Sequence, residues 1–94
     1  MTKSTDQPSA KDLFSEANNL INTTNGHELH VKGVAILKKA VEMGDPDAQL
    51  LLANLYDDGI LVPRDREKSK ELYELSAEQG NMYAQFNLSL VYNE

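Results

Sequence analysis

One short pattern occurs twice in this 94-residue sequence, and it limits the fold more than anything else in the chain. Ala48-Gln49 returns as Ala84-Gln85, a period of 36 residues. At the same spacing Gly44 returns as Gly80, Leu52 as Leu88 and Tyr56 as Tyr92. A period of this length marks stacked copies of one supersecondary unit that cannot bury its apolar sides alone. Between the copies the apolar residues fall at helical spacing, and no alternating run bounded by turns signals a strand. The chain is expected to be all-α.

The helices can be placed from their start and stop residues. Ser9 is the expected cap of the first, with Asp12 three residues on; Leu13, Ala17, Leu20 and Ile21 then share one face. The turn residues Asn22-Thr23-Thr24-Asn25-Gly26 should end it. A second helix is expected from His27 or Glu28 to Met43, burying Gly33, Ile36, Leu37, Ala40 and Val41. A glycine inside a helix costs about 1 kcal/mol relative to alanine, so Gly33 points to a close helix crossing. Gly44 stops this helix, Asp45 caps the next, and Pro46 stands in its first turn.

The third helix should run to about Asp57, with Ala48, Leu52, Leu55 and Tyr56 inward. The Ile60–Arg64 loop is apolar enough that part of it should tuck under the helix pair. Asp65 is the expected cap of the fourth helix, which turns Ser69, Leu72, Tyr73, Ser76 and Ala77 inward. Gly80 ends it, Asn81 caps the fifth, and Ala84, Leu88, Val91 and Tyr92 form the fifth helix's inner stripe. Short connections make successive helices antiparallel. Two helical hairpins plus one closing helix are therefore expected over residues 9–94, behind a disordered tail at 1–8.

Several function classes are disfavoured by composition. The net charge of −6 argues against non-specific nucleic-acid binding, which needs a cationic surface. There is no cysteine, so thiolate chemistry and disulfides are excluded. No signal-peptide core and no membrane-spanning run is present, and a complete chain of this kind is expected in the cytoplasm.

Ala48-Gln49, Leu52, Tyr56, Gly59, Val62, Asp65, Lys68, Tyr73, Ala77, Gly80 and Ala84-Gln85 together resemble one unit of the Sel1-like repeat, a relative of the tetratricopeptide repeat. The resemblance covers Pro46 to Asn81 and continues for one helix. Lys32 to Gly44 is similar to the second helix of a preceding unit. It implies a right-handed α-α superhelix and a role as scaffold or adaptor for other proteins. The sequence departs from the family pattern at Leu61, where a second loop glycine is usual. Tyr73 stands where tryptophan is frequent, and Ser69 and Ser76 stand where alanine is common. The disulfide-bearing secreted relatives linked to β-lactam binding offer no analogy for a chain without cysteine.

Candidate chemistry is sparse. His27 and His30 are three apart and lack the intervening pattern of a zinc helix. Asp57-Asp58 and Asp45/Asp47 lie at helix ends beside glycines, where aspartate commonly caps or turns the chain. No metal, no cofactor and no enzymatic activity are expected.

The informative candidates lie on surfaces. Tyr83, Phe86 and Leu90 form a second apolar strip on the fifth helix, roughly opposite its inner stripe. This strip is expected to serve a homodimer or a docked partner, unless it is covered by further repeats of a longer array or by rotation of the helix. Gln49, Leu50, Ala53, Asn54, Asp57 and Gln85 are expected to line a concave face, with Phe14 and Asn18 extending the row. The expected function is a non-catalytic protein-interaction module: a small cytoplasmic adaptor or scaffold, or a stoichiometric inhibitor of the immunity-protein type. The alternative is a structural fragment of a longer array. Neither a membrane nor a nucleic-acid partner is expected.

Overall fold

The computed structural model describes residues 8–22 and 27–92. Five helices follow in order: α1 (Ala10–Ile21), α2 (His27–Glu42), α3 (Pro46–Asp58), α4 (Arg66–Glu78) and α5 (Met82–Tyr92). No strand occurs among the described residues. The expected tail lies outside the described residues except for Pro8, as does the expected turn over Thr23–Gly26. The remaining boundaries agree with the sequence reading to within a residue or so, because each is set by a local device. Ser9 and Asp12 close a capping box at the start of α1. Asp45 accepts from the Ala48 amide at 2.8 Å, Asp65 from Lys68 at 3.1 Å and Asn81 from Ala84 at 2.9 Å.

The helices form a solenoid. α1 packs on α2, α3 on α4, and α5 closes against α4, while α2 joins the two hairpins through α3. The thinnest dimension is 17 Å, about two helices deep. The repeat period is visible as a seam of hydrogen bonds. The α2–α3 turn at Gly44–Asp47 stacks beside its equivalent, the α4–α5 turn, one period later. Ser76 Oγ donates to the Pro46 carbonyl at 2.8 Å, Gln79 Nε2 to the Gly44 carbonyl at 2.9 Å, and Asn81 Nδ2 to Asp47 at 3.3 Å. Gly44 and Gly80 have φ of 90° and 93°, the same backbone device in successive units.

Two apolar cores result. The first gathers Ala17, Val34, Leu37, Ala40, Ala48, Leu52, Leu55 and Tyr56 from α1, α2 and α3. The second is smaller: Ala53, Tyr73 and Ala84 are fully buried where α3, α4 and α5 meet. The two serines at alanine positions differ in their surroundings. The Ser76 hydroxyl reaches a carbonyl across the seam. Ser69 Oγ, fully buried beside Tyr73, makes no hydrogen bond of ordinary geometry.

Part of the α3–α4 loop tucks under the helix pair as expected: Val62 packs on the core, while Ile60 and Leu61 remain exposed. Two expectations need correction. Tyr92 is 58% exposed instead of inward, since among the described residues no later helix covers it as α4 covers Tyr56. Val34 is buried as well as Gly33, because the face of α2 is wider than the stripe suggested.

Leu61 also carries the loop's unusual backbone, with φ 66°. A left-handed conformation costs a side chain with a Cβ roughly 1–2 kcal/mol, and glycine there would cost roughly 0.5–1 kcal/mol in unfolded-state entropy. Little burial is lost from an exposed leucine. Leu61→Gly is therefore expected to stabilise the fold by about 0.5–1 kcal/mol, read as a higher urea midpoint. An unchanged or lower midpoint would refute this account of the loop.

Candidate functional site

The C-terminal half of the solenoid presents one continuous surface with an apolar part and a polar part. The apolar part is a strip on α5. Tyr83, Phe86 and Leu90, at i, i+3 and i+7, are 75%, 63% and 49% exposed. Met82 is exposed beside them. A helix in the middle of a stack would have such a strip covered; here, among the described residues, nothing lies on it.

Leu90 leads from the strip into the polar part. With Val91 it borders a cleft of about 220 Å³ lined otherwise by Asn54, Asp57, Asp58, Tyr73 and Asn87. α3 ends at this cleft, so its last turn supplies the two carboxylates. Asn54 organises the floor: its Oδ1 accepts from the Tyr73 hydroxyl at 2.5 Å and from Asn87 Nδ2 at 3.3 Å. Three helices thus meet at one amide oxygen. Burial raises the Tyr73 phenol above its ordinary pKa, and the negative charge of Asp57 raises it further. Arg66 approaches Asp57 to only 3.8 Å, and Arg64 Nε donates to the Asp57 carbonyl at 3.0 Å.

The residues expected to form a binding surface separate into three groups. Asn54, Asp57 and Leu90 come together at the cleft, and Tyr83 and Phe86 adjoin it through the strip. Gln49 does not belong to an open face. It is 4% exposed, and its Oε1 accepts from Gln79 Nε2 at 2.9 Å across the hairpin. A long side chain from the paired helix has folded over the position. Ala53 is likewise sealed, beneath Tyr73 and Ala84. Leu50 is half-buried against the second core, and Gln85 is exposed, donating to the Ala77 carbonyl at 3.3 Å. Phe14 packs against the first core, and Asn18 is half-buried on α1.

Asn87, Tyr73 and Asp58 line the cleft without having been expected there. Asn87 was hidden because its counterpart one period earlier, Leu51, is apolar, so the repeat gives no sign of an amide at that place. Tyr73 was read as core, which it is; only its hydroxyl reaches the cleft. His27 is exposed, His30 is half-buried, and among the described residues no three His, Asp or Glu side chains gather as a metal site would require. No helix among those residues is long and apolar enough to cross a membrane.

Comparison with known proteins gives one family match. Residues 46–81 match the family model of the Sel1 repeat, the span from the start of α3 to the cap of α5. Residues 46–81 are thus similar to a Sel1 repeat, a type of helical unit that generally mediates protein–protein interaction. Neither the curated proteins nor the solved structures give a match.

Proposed function

We propose that this chain, built around the Sel1 repeat at residues 46–81, is a non-catalytic protein-binding module that docks its partner on α5 and the adjoining cleft. The observation that carries this reading is the exposed Tyr83–Phe86–Leu90 strip. Exposed aromatic side chains lose little entropy on binding and supply large contact areas, which is why they recur as interface anchors. A strip of this kind, rimmed by polar groups, marks an interaction surface. Such a module acts by occupancy, as an adaptor or scaffold, or as a stoichiometric inhibitor where the bound protein is a toxin or enzyme. A chain without cysteine suits a reducing compartment such as the cytoplasm.

The test is affinity capture with the wild-type chain and with Phe86→Ser, followed by quantification of what is retained. A partner held near one-to-one stoichiometry by the wild type, and at least about tenfold more weakly by the variant, is expected; tenfold is about 1.4 kcal/mol, modest for an aromatic anchor. Phe86 is exposed, so the variant should keep its circular dichroism and melting behaviour. A partner held equally by both proteins would move the docking site off α5.

A further inference from the structure

The cleft beside the strip says something about the partner's charge. Nine Asp and Glu but only four Lys and Arg stand between Asp45 and Tyr92, so this part of the chain holds −5 of the net −6. Those four cations all have intrachain engagements. Arg64 and Arg66 contact Asp57, Lys68 lies 5.5 Å from the centre of the Tyr56 ring, and Lys70 lies 5.1 Å from that of Tyr92. The cleft itself is lined by two carboxylates, two amides and a phenol, with no cation among them. The Asn54 oxygen is already occupied by Tyr73 and Asn87. The acceptors left for a guest are chiefly the Asp58 carboxylate and that of Asp57, which Arg66 approaches only to 3.8 Å.

Resting on the docking role argued above, we infer that the occupant of this surface is a basic amphipathic helix of a partner protein. Its apolar face lies along Tyr83, Phe86 and Leu90, and one lysine or arginine enters the cleft between Asp57, Asp58 and Asn87. Helix-on-helix docking matches the i, i+3, i+7 spacing of the strip. Charge complementarity selects the partner. A second copy of this chain would bring an equally acidic surface to the same place, and like charges across an interface cost several kcal/mol. A helix carrying lysine or arginine beside its apolar face meets an opposite charge instead, which speeds association and fixes register.

The probes are two helical peptides with the same leucine face at i, i+3 and i+7, one bearing lysines on its flanks and the other glutamates. Each is titrated into the isotope-labelled 94-residue chain and followed by amide chemical shifts, at low salt and at roughly 0.3 M salt, where screening is strong. The lysine peptide is expected to shift residues 54, 57, 58, 83, 86, 87 and 90, and to bind at least about tenfold more tightly than the glutamate peptide. Added salt and the double substitution Asp57→Asn, Asp58→Asn should each remove most of that difference. Equal binding of the two peptides, lost with Phe86→Ser, would overturn the charge assignment and leave docking on α5 intact. No shift with either peptide would overturn both. A concentration-dependent dimer in sedimentation equilibrium that becomes monomeric on Phe86→Ser would show that a second copy is the occupant, and would equally overturn the inference.

Discussion

Tyr73→Ala is expected to cost the fold about 3–5 kcal/mol, the range for removing a buried aromatic side chain, and to lower the urea midpoint accordingly. The size of the effect follows from the second core. Tyr73 is 2% exposed, and the other fully buried members of its cluster, Ala53 and Ala84, are small. Both stand on helix faces already in close contact, so the space left by the ring cannot be refilled by its neighbours. α3, α4 and α5 would lose the one large side chain sealed at their meeting point. Total stabilities of 5–15 kcal/mol are usual, and a chain of this size belongs near the bottom of that range. The variant should therefore be partly unfolded at moderate temperature. A loss below about 1 kcal/mol would show that α5 and α4 are held by other means.

Tyr73→Phe separates the ring from the hydroxyl. It keeps the packing but removes the bond to Asn54, leaving that amide oxygen to Asn87 alone. A loss of about 1 kcal/mol at neutral pH is expected. The alkaline range gives a second readout. The Tyr73 phenol is held above its ordinary value of 10.0 by burial and by Asp57, so the folded state favours the neutral form. That contribution is intact below about pH 10 and is lost as pH rises through the higher folded value. The gap between wild type and Tyr73→Phe should therefore narrow in alkali. Tyr92 is raised as well, chiefly because its hydroxyl donates to Glu74, and Tyr92→Phe serves as the control for an exposed tyrosine.

The sequence revealed the architecture because each boundary depends on residues close to it. Ser9 with Asp12, Asp45 with Pro46, and Gly80 with Asn81 each state where a helix begins or ends without reference to the rest of the chain. The α5 strip was legible for a related reason. Helical spacing alone separates Tyr83, Phe86 and Leu90 from the buried Ala84 face. The cleft was only half legible, since it is made by groups from three helices. Asn54 and Asp57 could be placed on α3, but nothing local says that Asn87 will reach Asn54 from 33 residues away. Gln49 failed in the opposite sense. Its polarity suggested an open face, but Gln79, 30 residues on, closes over it and donates to its amide oxygen. Polar character predicts exposure only where no partner is in reach, and tertiary contacts decide that.

Gly33→Ala is expected to destabilise the chain by up to about 2 kcal/mol, against the sign of helix propensity. In an isolated helix the same change would stabilise by about 1 kcal/mol, and it also reduces the entropy of the unfolded chain. The crossing of α1 over α2 reverses the balance. A Cβ on Gly33 would stand 2.9 Å from Leu20 Cβ, 3.0 Å from Ile21 Cγ1 and 3.2 Å from the Ala17 carbonyl oxygen. The first of these is the root of a side chain and the last is backbone, so a rotamer change relieves neither. α1 must move away from α2, opening the contact that buries Ala17 against Leu37 and Val34. Overpacking of this kind costs about 1–3 kcal/mol, enough to exceed the propensity gain. The distinguishing measurement pairs urea unfolding with amide exchange. Exchange should accelerate in α1 first, while the α3–α4 hairpin keeps its protection, because a solenoid unit depends mainly on its neighbours. A variant more stable than the wild type, or one whose loss of protection begins in α4, would refute close helix approach as the reason for glycine at this position.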